Sequence, residues 1–171
     1  MSEFGPEAVA LVRAGVVQDF ARSELFARTF QDGMDLVEEV AAYLDGPGRQ
    51  DSKLLSRQGA LAYAAESMRL TTRLMQVASW LLVQRAVREG DMTAMEACQP
   101  RYRIPGDKTE DPAEADADIP ATLTSLSDRA RRLYERVIHL DQRMYMDAPA
   151  EAADHPVLSQ HDRLRAAFDA A

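Results

Sequence analysis

The chain of 171 residues has a single cysteine, Cys98, and only two lysines, Lys53 and Lys108, among its twenty basic residues. One thiol cannot close an internal disulfide, and a free thiol fits a reducing compartment. No run of eighteen apolar residues occurs, so the sequence offers no membrane span. Excess positive charge is lacking as well. The net charge is −8, which argues against a nucleic-acid binder, because neutralising phosphates needs a basic surface. The first twenty residues carry Glu3 and Glu7 ahead of a short apolar run broken by Arg13, whereas a signal peptide starts basic and continues apolar. The expectation is a cytoplasmic protein. We read the preference for arginine over lysine as codon bias.

What is present is ordinary in bulk and informative in pattern. Apolar residues make up 46% and charged residues 28%, as in a soluble globular protein long enough to bury one core. From Lys53 to Arg88 the chain has no proline, and its one glycine, Gly59, lies near the start. On a helical wheel Tyr63, Met68, Leu74, Met75, Val77, Ala78, Leu81, Leu82 and Ala86 cover about half the circumference, where a surface helix shows a stripe only about 100° wide. Such a helix has partners on more than one side.

Two further long helices flank it. The first reads from Ser23 to Asp45 on Phe26, Phe30, Met34, Val37, Ala41 and Leu44, with Ser23 as its cap and Gly46-Pro47-Gly48 as its stop. The third reads from Thr122 to Asp147 on a heptad-like seam of Leu126, Ala130, Leu133, Val137, Leu140 and Met144. The second helix ends at Glu89 with Gly90 beyond it, and Asp91–Ala97 adds one or two turns. Between the second and third helices, residues 106–120 hold six acids, one lysine and two prolines, too little apolar surface to offset ordering entropy. The predicted fold is therefore all-α: an antiparallel up-down-up three-helix bundle over residues 21–147, with a mobile acidic loop. A weakly ordered arm (residues 1–20) precedes it and a flexible tail (148–171) follows. At about 1.5 Å per residue the second helix spans roughly 50 Å and its neighbours about 35 Å, so its last turns overhang. Either the segment around Met92–Met95 folds back over them or a second subunit does, and a homodimer is the expectation.

Catalytic constellations are missing. Glu135 and His139 stand four apart, off the apolar seam, whereas di-metal bundles use Glu-x-x-His from paired helices. His139 reads as solvent-facing, and His155 and His161 carry no ligand spacing. Cys98 has no activating histidine nearby. The expectation is a protein that is not an enzyme and needs no cofactor or metal.

Partner contacts are the alternative use of such a bundle. Trp80 falls on the polar stripe of the second helix with Glu66, Arg69, Arg73, Gln76, Gln84 and Arg88. An exposed tryptophan beside arginines is the composition of a binding hot spot. The competing reading packs Trp80 against a loop or the N-terminal arm. Leu82 is assigned to the dimer seam. Arg129, Arg132, Arg136 and Arg143 form a basic stripe on the third helix, either a solvated face or a dock for an acidic partner. In the tail, Val157, His161, Leu164 and Phe168 share one narrow stripe, with Leu164 and Phe168 as anchors for a partner. A helix that short is marginal alone. Ala170-Ala171 is a small apolar ending of the kind bacterial unfoldases accept as a degradation tag.

Three segments carry a family resemblance: FARTFQDGMDLVEEVAAYLDG (26–46), SRQGALAYAAESMRLTTRLMQVASWLLVQRAV (56–87) and LSDRARRLYERVIHLDQRMY (126–145). Together they resemble the alphaproteobacterial family of regulators of CtrA degradation, over about residues 20–147. The resemblance implies a dimeric three-helix bundle acting as a cytoplasmic adaptor for the ClpXP protease, recruited to the cell pole. It also implies work alongside the adaptors CpdR and PopA on CtrA-type substrates. No family motif fixes contact residues. A structural dimerisation module is the rival reading.

Overall fold

A computed structural model describes residues 5–106 and 118–147 of the chain, with the side chains of 146 and 147 left aside. Among the described residues every regular element is helical and no strand occurs. The order is α1 (Pro6–Arg22), α2 (Glu24–Asp45), α3 (Pro47–Lys53), α4 (Arg57–Glu89), α5 (Ala94–Ala97), a 3₁₀ turn (Pro100–Tyr102), α6 (Ala121–Gln142) and a π-helical turn (Arg143–Asp147).

Local chemistry sets these boundaries. Ser23 is extended, and its hydroxyl serves both sides of the first junction: it donates to the Phe20 carbonyl at 2.7 Å and accepts from the Phe26 amide at 3.1 Å. One residue thus closes α1 and caps α2. Ser56 caps α4 through the Gly59 amide at 3.0 Å. Gly90, at φ +84°, ends α4 in the left-handed region that glycine enters without penalty. Thr93 and Glu96 form a reciprocal capping box that starts α5.

The three long helices α2, α4 and α6 pack on one another, with α4 against α6 the most extensive pairing. The predicted α6 seam is in place, with Leu126, Ala130, Leu133, Val137 and Met144 buried and Leu140 partly so. Gly33 of α2 lets α4 approach closely, since a Cβ there would lie 2.6 Å from Leu81 Cδ1.

Two expectations need correction. The N-terminal arm is not weakly ordered beyond Gly5: it is α1, which buries Val17 and Ala21 completely. Its Phe20 ring stands 5.7 Å from both the Trp80 and Phe26 rings. The last turns of α4 are covered in part from within the chain, by α1 and α5 and by Tyr145 against Gln84, while Leu82 stays exposed. The Gly46-Pro47-Gly48 stop also holds only in part, because Pro47 immediately opens α3.

Candidate partner-binding face

α4 has two faces, and for Trp80 the structure decides in favour of packing, against Phe20 of the N-terminal helix. Residues of its polar stripe turn inward. Trp80 is 1% exposed, and its Nε1–H donates to Asp141 Oδ1 at 3.0 Å. Asp141 is 2% exposed, and its other oxygen accepts from Arg103 Nη2 at 2.7 Å and Nε at 3.2 Å. The Arg103 guanidinium also lies over the Tyr145 ring, 4.9 Å from its centroid. A buried carboxylate survives only with such donors around it, so the indole and the guanidinium jointly make Asp141 tolerable inside the protein.

Tyr145 continues this cluster. Its hydroxyl donates to the Ala97 carbonyl at 3.2 Å, and the fully buried Gln84 reaches it through a long 3.5 Å contact. Burial pushes the Tyr145 phenol up to about 12. Arg73 stacks over the Tyr134 ring at 5.9 Å, while the Tyr134 hydroxyl donates to the Pro105 carbonyl. Arg69 pairs with Glu66 at 3.1 Å. Trp80 and Arg73 thus tie α4 to α6, whose Asp141 and Tyr134 hold Arg103 and Pro105 in turn, while Arg69 pairs within α4. Reading Trp80 as an exposed hot spot is corrected on this ground: its N–H has a buried partner and its ring sits in the core.

The opposite face is apolar and open. Leu61, Met68, Met75 and Leu82 stand seven residues apart, with exposures of 67%, 71%, 66% and 52%. Ala65, Thr72 and Ser79, also exposed, fall between them, so that steps of four and three alternate from Leu61 to Leu82. That is a heptad seam with large residues at one core position and small ones at the other, the pattern by which one helix packs along another. A row of large exposed apolar side chains makes this face the candidate interaction surface of the helix. Beside it runs a groove of about 420 Å³ lined by Thr72, Met75, Gln76, Ser79, Tyr102 and Pro105 among others. The apolar residues were countable in the sequence. Their division between one buried and one exposed seam was not.

The arginine stripe of α6 is largely spent on the fold. Arg129 reaches Glu39 of α2 at 2.7 Å, and Arg136 reaches Asp32 at 3.5 Å. The hydrogen bond from Arg129 holds the Glu39 carboxyl below its ordinary value. Arg132 donates to the Asp128 carbonyl, and Arg131 pairs with Asp128 and Glu135. These exposed pairs link α6 to α2 and to itself, and solvent screening keeps the contribution of each small. His139 is exposed, as expected. Among the described residues no group of three or more His, Cys, Asp or Glu side chains is placed to hold a metal ion. No helix among them is long and apolar enough to cross a membrane. Leu164, Phe168 and most of the acidic loop lie outside the described residues.

Comparison with known proteins places this geometry. Residues 17–168 match the family described as protein of unknown function (DUF1465). No curated protein matches the sequence. Among solved structures, RcdA from Caulobacter crescentus CB15 is similar, with 64% sequence identity and a TM-score of 0.64, covering 75% of this chain and 97% of that one. On this identity and coverage, the chain belongs to the DUF1465 family and, within it, to the RcdA family.

Proposed function

We propose that the chain is a non-enzymatic adaptor that tethers cell-cycle regulators of the CtrA type to the ClpXP protease, acting as a homodimer and alongside CpdR and PopA at the cell pole. Membership of the RcdA family supports the role, and the exposed α4 seam is the observation on this chain that carries it. An adaptor works by raising effective concentration, which requires surfaces rather than reactive groups. The Leu61–Met68–Met75–Leu82 seam is such a surface. A second copy of α4 is its natural occupant, since a heptad seam pairs with its like and cyclic dimers are the commonest oligomers. Each leucine or methionine fully buried there contributes about 1.5–3 kcal/mol before the cost of association.

Leu164 and Phe168 are proposed as a second, weaker contact for cargo. Ordering the tail on binding consumes part of the gain, so that contact is reversible, as delivery requires. The test is degradation of a CtrA-type substrate by ClpXP with CpdR and PopA, with and without the chain. The adaptor reading expects the chain to raise the rate and deletion of residues 156–171 to lower it again. A chain that dimerises yet leaves every degradation rate unchanged is a structural module, and the adaptor reading fails.

A further inference from the structure

A cavity of about 280 Å³ lies where α1 crosses the segment after α5 and the π-helical turn, lined by Ala10, Arg13, Cys98, Pro100, Arg103 and Tyr145. It lies apart from the seam and shares only Arg103 with the groove beside α4. Two features of its wall are unusual. Arg13 is partly buried, its Nε is shut away from solvent, and that Nε–H has no hydrogen-bond partner. Among the described residues Arg13 forms no ion pair, and the positions three and four away along α1 are Val9, Ala10, Val16 and Val17, none able to supply one. One contact behind the same wall, the fully buried Gln84 leaves its Oε1 without a donor while its amide nitrogen faces the Tyr145 hydroxyl. Buried polar groups are ordinarily satisfied, and an orphaned guanidinium N–H in a cavity wall calls for a ligand or a reason.

The wall chemistry narrows the class. Among the described residues no lining side chain is acidic. Arg103 is already committed to Asp141, which leaves Arg13 as the one cation of the cavity without a described acid. A monoanion matches that single charge, whereas a dianion such as phosphate would bury a charge with nothing opposite it. The guanidinium fork suits a planar carboxylate, which accepts two parallel N–H bonds. Ala10, Pro100 and the Tyr145 ring supply apolar walls for a short carbon chain. Burial raises the Cys98 thiol above its ordinary value, so it stays neutral and does not repel an anion.

We propose that this cavity binds a small carboxylate, with Arg13 as the residue that holds it. The carboxylate comes either from a free short-chain acid or from the side chain of a protein segment. The inference is independent of the adaptor reading and stands or falls without it.

Cys98 provides the readout, because it is the only thiol in the chain and lines the cavity. Its rate of maleimide labelling is measured on the full chain with sodium butyrate, with a blocked Ala-Glu-Ala peptide and with inorganic phosphate, each against sodium chloride at equal ionic strength. Butyrate or the peptide should slow labelling several-fold, and whichever protects at lower concentration identifies the source. Arg13→Met should abolish protection with helicity unchanged. Should that variant misfold, Arg13→Lys keeps the charge but loses the planar fork, and it should weaken protection markedly. The proposal is overturned if neither carboxylate protects Cys98, if protection persists undiminished in the Arg13 variants, or if phosphate protects as well as butyrate.

Discussion

The inner and outer faces of α4 both carry large apolar side chains, and only the inner face is covered. Inward the helix buries Leu70, Leu74, Val77 and Leu81 together with Trp80 and Gln84, whose partners are Asp141 and Tyr145. Towards solvent it presents Leu61, Met68, Met75 and Leu82. A polar group can be buried once its hydrogen bonds are met, and an apolar group can be exposed where a partner covers it. The inner face therefore belongs to the fold, and the outer face is the one we propose for association.

The sharpest way to break this comparison is Trp80→Ala. It removes a core ring and leaves the Asp141 carboxylate short of one donor, so it should cost about 3–5 kcal/mol, read as a lowered denaturant midpoint. If the variant kept wild-type stability and lost only partner binding, the inner face would have been misassigned. Arg103→Met comes next. It strips the guanidinium from a carboxylate that is 3% exposed and should cost about 1–3 kcal/mol, read in the same titration.

A smaller effect concerns alkaline pH. The Tyr145 phenol moves from 10.0 to about 12 on folding. The folded chain thus holds this proton more tightly than the unfolded one. The associated stability is fully present below pH 10.0 and is lost as pH rises through about 12. Tyr145→Phe should flatten that alkaline loss in thermal melts taken across the range, and an unchanged slope would assign the loss elsewhere. Least of all, Arg136→Ala should change stability by less than about 1 kcal/mol, since its pair with Asp32 is solvent-exposed on both sides.

How much of this could be read from the sequence depended on range. Ser23, Gly90 and the α6 seam act within a turn or two, and local pattern located them. α1 was missed because only Val17 and Ala21 of its seventeen residues are buried, and Arg13 interrupts its apolar run. The faces of α4 were misassigned for a different reason. The partners of Trp80 and Gln84 are 61 residues away, at Asp141 and Tyr145, and periodicity within α4 carries no trace of them. The Arg13 cavity was invisible for the same cause, being assembled from α1, the segment after α5 and the π-helical turn.

The central claim is that the outer seam serves association and leaves the fold untouched. Met75→Glu tests it most directly, because it places a charge in the middle of that seam on a side chain that is 66% exposed. Light scattering and fluorescence of Trp80, the only tryptophan, are recorded on the same sample at micromolar concentration. The account predicts a dimer for the wild type and a monomer for Met75→Glu, with helicity and the buried-tryptophan emission unchanged. A wild type that is monomeric, or a Met75→Glu chain that unfolds, would contradict it.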